Sequence, residues 1–251
     1  MFFRRLIGRL NRLLYAMLTH RVPRIAYAAA DISAKGYFSE HGQDFFVAEL
    51  LGMLKYGFFV DIGANDGVAF SNSYFFERQL GWRGIAIEPI PGAYDKLKQN
   101  RTCRALNCCV GNASRKEKFL VLPEIAEHLS GMLKTYDRRH ISRIKDKLNR
   151  CSGESQVIEV DCYTLTALLE REGISRIDYL SVDTEGAEIQ VLQGMDFRQC
   201  PVSVLTIENN YRDIRIPLML SRRGFRLAAI IGVDEVYVNR AGVGSDGKSL
   251  D

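Results

Sequence analysis

The ten residues Phe58-Phe59-Val60-Asp61-Ile62-Gly63-Ala64-Asn65-Asp66-Gly67 constrain the fold more than any other stretch of the chain. An apolar run closes on an acid and breaks at once into a glycine-spaced turn, the pattern of a buried strand feeding a tight loop. Ile85-Ala86-Ile87-Glu88 repeats the apolar run closed by an acid. Together they read as parallel strands whose carboxyl ends face one small polar ligand, because open parallel sheets collect ligands at those ends. Tyr179-Leu180-Ser181-Val182 closes on Asp183, and Val202-Ser203-Val204-Leu205-Thr206-Ile207 closes on Glu208. The expected class is α/β, a nucleoside-binding domain.

The chemistry of the loop narrows the ligand. The spacing Gly63-Ala64-Asn65-Asp66-Gly67 is not the G-x-G-x-x-G of a dinucleotide site. Asp61 also sets a carboxylate where a pyrophosphate prefers amide donors. An acid there suits a cationic amine, and Glu88 suits the two hydroxyls of a ribose. S-adenosylmethionine has both groups and no phosphate. A dinucleotide-dependent oxidoreductase stays open as an alternative, as does a non-catalytic binding or scaffold protein of the same fold.

Three motifs carry a resemblance to a known family. They are Phe59-Val60-Asp61-Ile62-Gly63-Ala64-Asn65-Asp66-Gly67, then Ile87-Glu88-Pro89, and Asp178-Tyr179-Leu180-Ser181-Val182-Asp183-Thr184-Glu185-Gly186-Ala187-Glu188, continued by Val191-Leu192-Gln193-Gly194. The sequence resembles the FkbM-type S-adenosylmethionine-dependent methyltransferases over roughly residues 40–240. The resemblance implies a class I methyltransferase-like (Rossmann-like) fold, a mostly parallel seven-stranded sheet with helices on both faces. It implies O-methylation of a sugar, glycolipid or related hydroxylated metabolite, with S-adenosylmethionine as cofactor. It assigns Asp61, Gly63, Ala64, Asn65 and Gly67 to the cofactor loop and Glu88 and Pro89 to the ribose. It passes Asn107 to Gly111, with Val110, near the adenine, and puts Asp183 at the floor of the reaction centre, beside the methionine end of the cofactor and the acceptor.

A hydroxyl is a poor nucleophile until its proton is leaving, so a base is needed. Asp183, Glu208 and His128 are the catalytic candidates, and Glu185 is a further acid within reach. Glu185, Ser130, Asn209 and Tyr211 are the expected acceptor contacts. Asp183, Glu185 and Glu188 equally suit the start of the helix that follows. A divalent metal on Asp183 and Glu208 is the less favoured reading, because no local ligand motif accompanies them. His41, Gln43 and Asp44 either line the cofactor mouth or cap the helix that begins there.

Domain organisation follows from composition. The chain has 251 residues, 47% hydrophobic and 25% charged, with net charge +4, which fits one α/β domain with short appendages. Residues 1–30 form a basic amphipathic helical segment. Before residue 25 it carries Arg4, Arg5, Arg9, Arg12, Arg21 and Arg24 and no acid, with Phe3, Leu6, Leu10, Leu13 and Met17 at helical spacing. It lacks the long apolar core of a spanning helix. An anionic membrane surface is a partner it suits, and packing on its own domain is the alternative. Residues 31–241 form the catalytic domain, with a less regular, basic insertion at about 112–156. In that insertion Phe119-Leu120-Val121-Leu122 is an added strand and Ser130-Gly131-Met132 a loop. Residues 242–251 read as a flexible tail. The six cysteines form no C-x-x-C pair, so the expected setting is reducing and cytoplasmic, peripheral at the inner membrane surface if the first helix binds lipid. No aromatic–basic interleaving points to nucleic acid.

Overall fold

A computed structural model describes residues 2–149 and 153–240, with the backbone alone for residues 2–7. The 242–251 tail and Cys151 lie outside the described residues. The chain opens with α1 (Phe2–Thr19), β1 (Arg24–Ile25), α2 (Ala29–Ala34) and α3 (Gln43–Leu50). The domain proper follows as β2 (Phe58–Ile62), α4 (Tyr74–Leu80), β3 (Arg83–Ile87), α5 (Pro91–Asn100) and β4 (Arg104–Leu106). Next come β5 (Cys109–Gly111), β6 (Arg115–Val121), a 3₁₀ turn (Glu124–Leu129), β7 (Gly131–Met132), α6 (Arg138–Leu148) and β8 (Gln156–Thr164). The chain closes with α7 (Leu165–Arg171), β9 (Ile177–Val182), α8 (Glu188–Gln193), β10 (Val202–Glu208), α9 (Arg215–Arg222), β11 (Phe225–Ile231) and β12 (Asp234–Asn239).

The main sheet has eight strands in the order β1-β11-β12-β10-β9-β2-β3-β4. Seven match the expected sheet, and the two-residue β1 adds a parallel edge beside β11. β12 alone runs antiparallel to both its neighbours. The period of two along each strand divides the core. Val60, Ile62, Ile85, Leu180 and Leu205 face one apolar layer with Leu168, Leu192 and Leu220. Phe59, Tyr179 and Val204 face the other with Val47, Phe76 and Trp82. Both faces are covered by helices, which is what continuous apolar strands require.

Strand β4 ends at Leu106, and β5 leaves for a second sheet of order β5-β8-β6-β7. The segment read as irregular is therefore built. β6 pairs antiparallel with β8 over seven residues, and Gly131–Met132, read as a loop, is a strand paired with Leu120 and Phe119. The alternation in β6 is weak to the eye because Arg115, Lys116 and Lys118 face solvent while Phe119 enters a small core with Met132, Cys109 and Cys162.

Candidate active site

The parallel register lines up the strand-end acids. Ile62 pairs with both Ile87 and Val182, and Val182 pairs with Ile207. Glu88, Asp183 and Glu208 therefore emerge side by side at one edge, with Asp234 opposite Glu208 across the antiparallel pair. They open into a cavity of about 680 Å³, of the size and kind that takes a small organic ligand.

Of the expected cofactor residues, Asp61, Gly63, Ala64, Asn65, Glu88, Pro89, Val110 and Asp183 line this cavity. Gly63 stands at φ 88°, and a Cβ there would sit 1.7 Å from the carbonyl oxygen of Asp183. Only glycine permits this crossing of the two loops. The turn is closed by hydrogen bonds from Gly63 N and Ala64 N to Ile87 O (2.9 and 3.1 Å) and from Asp183 N to Ile62 O (2.9 Å). Gly67 and Asn107 stand outside the wall. Gly67 closes the turn onto Ala64 O and packs on Leu97 and Arg101. Asn107 donates to the carbonyls of Glu88 (2.8 Å) and Pro89 (3.1 Å), and so braces the loop.

Glu88 is buried, and its carboxylate accepts from Asn65 N (2.9 Å) and Ile90 N (2.8 Å). Burial pushes its pKa up to about 7 even against those two hydrogen bonds. Asp61 accepts from Ser73 Oγ (2.6 Å), and burial raises it too, opposed by Ser73, the Arg101 charge and Ser181. Asn72, on the same wall, donates to Ser181 Oγ (3.1 Å) while its buried Oδ1 has no partner. A buried acceptor without a donor marks a place for a ligand. Beside Asp61 it fits the ammonium group of an S-adenosylmethionine. Glu88 retains lone pairs for two ribose hydroxyls.

At the other end of the cavity Asp183, Glu185 and Glu208 bring carboxylate oxygens within 4.8 Å of one another. Burial, then the neighbouring acids, raise Asp183 and Glu208 well above the usual carboxylate range. Glu185 is pushed up to about 7 by burial, with the Arg143 guanidinium pulling the other way. Arg143 Nη1 lies 3.4 Å from Glu185 Oε2, and His140 Nδ1 lies 3.7 Å from it. Three close oxygens of this kind also suit a hard cation. The neighbouring acid is occupied elsewhere. Glu188 accepts from Thr184 Oγ1 (3.0 Å) and Gly186 N (2.8 Å), and so organises the turn before α8.

The remaining expected residues divide. Ser130 and His128 line the cavity. Ser130 Oγ accepts from Leu122 N, and His128 is held toward its neutral form by burial and by Lys147 and Arg143. Asn209 and Tyr211 do not reach the main cavity. Asn209 is buried and donates to Glu235 Oε1 (2.7 Å). Tyr211 borders an adjoining cleft of about 120 Å³, which shares Glu208 and Asn210 with the main one. Of the entrance residues, His41 lines the cavity, whereas Asp44 accepts from Phe38 N, Ser39 N and Phe45 N and holds the chain entering α3.

Three site residues went unassigned in the sequence. Asn72 and Phe70 follow the glycine loop without a motif of their own. Arg143 was one basic residue among many, and only the 3.6-residue period of α6, with His140 and Ile144 buried, turns it inward. Asn65, Phe70 and Glu185 carry positive φ (47°, 56° and 52°). Non-glycine residues in this region are uncommon, and three border one cavity.

Comparison with known proteins adds to this geometry. The family model described as the methyltransferase FkbM domain matches residues 61–227, more than half of the chain. The chain is 27% identical over 194 residues to methyltransferase sdnD of Sordaria araneosa, covering 68% of this chain and 72% of that protein. It is 26% identical over 154 residues to methyltransferase 1 of Beauveria bassiana, covering 55% of this chain and 58% of that one. Among solved structures, the FkbM methyltransferase of Methylobacillus flagellatus KT is similar at 16% identity and a TM-score of 0.44, over 74% of this chain and 45% of that one.

Proposed function

Since the chain belongs to the FkbM methyltransferase family and is an S-adenosylmethionine-dependent methyltransferase, we propose that it methylates a hydroxyl of a sugar, glycolipid or related metabolite. The observation that carries this reading is the Asp183–Glu185–Glu208 cluster, with oxygens within 4.8 Å and raised proton affinity. A carboxylate of ordinary acidity is a feeble base at neutral pH, whereas one raised toward 7 or beyond takes a hydroxyl proton far more readily. When bound, the cofactor supplies an activated methyl on sulfonium sulfur.

The chain's own residues then do the rest. Asp61 and Asn72 receive the ammonium end, and Glu88 the ribose. Asp183 and Glu208, at neighbouring strand ends, orient the acceptor hydroxyl and accept its proton. Arg143 steadies Glu185 as charge develops in the cluster. Holding both reactants in one cavity supplies the alignment that an in-line displacement requires.

The test is formation of S-adenosylhomocysteine from S-adenosylmethionine in the presence of a panel of glycolipids and free sugars. Asp183→Asn and Glu208→Gln are expected to lower kcat by about 10²-fold or more, with S-adenosylhomocysteine affinity retained by Glu208→Gln. Methylation confined to amines or to nucleic acid, or full turnover by both variants, would refute the reading.

A further inference from the structure

Helix α1 docks on the domain by its polar side and leaves its apolar side uncovered. Asn11 Nδ2 donates to Arg212 O (2.8 Å), and Asn11 Oδ1 accepts from Ile214 N (3.2 Å). Tyr15 is buried, and its hydroxyl donates to Glu235. Thr19 is buried one turn on. Residues 11, 15 and 19 form one stripe, because four residues make slightly more than one turn. On an adjoining stripe Leu10, Leu13, Leu14, Met17 and Leu18 are 54%, 63%, 41%, 71% and 47% exposed. The usual arrangement of an amphipathic surface helix is the reverse. Scattered exposed apolar side chains are ordinary, but five on one face of one helix are not.

We propose that this face is a docking surface for an anionic lipid bilayer. Charge selects the occupant. The segment before residue 25 has six arginines and no acid, and Arg9, Arg12, Arg21 and Arg24 are exposed. Arg9 borders the apolar stripe beside Leu13, on the flank away from Asn11, and Arg12 follows between Arg9 and Thr19, so their long side chains extend to phosphates at headgroup level. A second copy of the chain is the poorer fit. A twofold pairing of this face would bring the two arginine rows together. Among the described residues no helix is long and apolar enough to cross a membrane, so the contact is interfacial.

The anchor point has a consequence for the cleft. Asn11 holds the segment from Arg212 to Ile214, and Tyr15 shares Glu235 with Asn209. That segment follows Glu208 and Asn210, which line the cavity. Lipid docking of α1 thus holds the acceptor side of the cleft at the bilayer surface.

The test is co-sedimentation of the full chain with vesicles of phosphatidylcholine alone or mixed with phosphatidylglycerol, at low and high salt. Binding is expected to the mixed vesicles only and to weaken with salt. The double variant Leu13→Glu with Met17→Glu is expected to lower the bound fraction about tenfold or more, with its melting temperature unchanged because both side chains are in solvent. Equal sedimentation of the variant, or absence of binding by the unaltered chain, overturns the proposal. So does a solution dimer that the same variant dissociates. Sedimentation is read without any turnover, so this result and that of the acceptor screen are independent.

Discussion

At Glu185 a left-handed backbone (φ 52°) and a carboxyl pushed up to about 7 coincide. The side chain is mostly buried, with Asp183 and Glu208 as close neighbours. Its proton is held more tightly in the folded chain than in the unfolded one, where 4.5 is the ordinary value. The folded state therefore binds more protons between those two values, and stability falls as pH rises from about 4.5 through about 7. Glu185→Gln removes that titration. Relative to the unaltered chain, the variant should gain on the order of 1–3 kcal/mol between pH 4.5 and pH 8, as measured by urea unfolding across the range. Parallel curves for the two proteins would show that the cluster carries no such strain. Asp183 was legible in sequence because it closes a strand, and Glu185 because it lies in the same motif. Arg143 was not, since its approach to Glu185 spans 42 residues of sequence.

Where elements meet, the limits of sequence reading become physical. β2 and β9 are adjacent parallel strands, and the loops leaving them cross at Gly63 and Asp183. Gly63→Ala combines a positive φ with a clash against backbone that has nowhere to move, so it should cost several kcal/mol, on the order of a severe core defect. Gly92→Ala, in the first turn of α5 with open space around the added carbon, should be neutral or stabilising by up to about 1 kcal/mol. Thermal melting of the two variants checks the contrast, and equal melting points would contradict it. Strands β2, β3, β9 and β10 were readable because both faces are buried and their apolar runs are continuous. In the second sheet the apolar end of β6 was readable, but its full length and its pairing with β8 were not, because both strands expose much of their length and the pairing is long-range. Helix α9 escaped notice because Pro217 lies in its first turn and the buried positions are few.

For the molecule as a whole, the sheet order carries the site. Placing β2 and β9 side by side at the centre brings residues 61, 88, 183 and 208 to one edge, although 147 positions separate the first from the last. That edge was predictable from four strand-end acids. Of the closing wall, His128 and Ser130 were named in advance, but the part supplied by α6 was not, because a basic helix with two buried residues reads as solvated. We infer that this cavity is shaped for S-adenosylmethionine, with Asp61, Asn72 and Glu88 as its polar contacts. Calorimetric titration with S-adenosylhomocysteine and, separately, with NAD distinguishes this from a dinucleotide site. Saturable binding of S-adenosylhomocysteine is expected, weakened about tenfold or more by Glu88→Ala through loss of hydrogen bonds, with no heat from NAD. Saturable NAD binding without S-adenosylhomocysteine binding, or an unchanged affinity in Glu88→Ala, would contradict it.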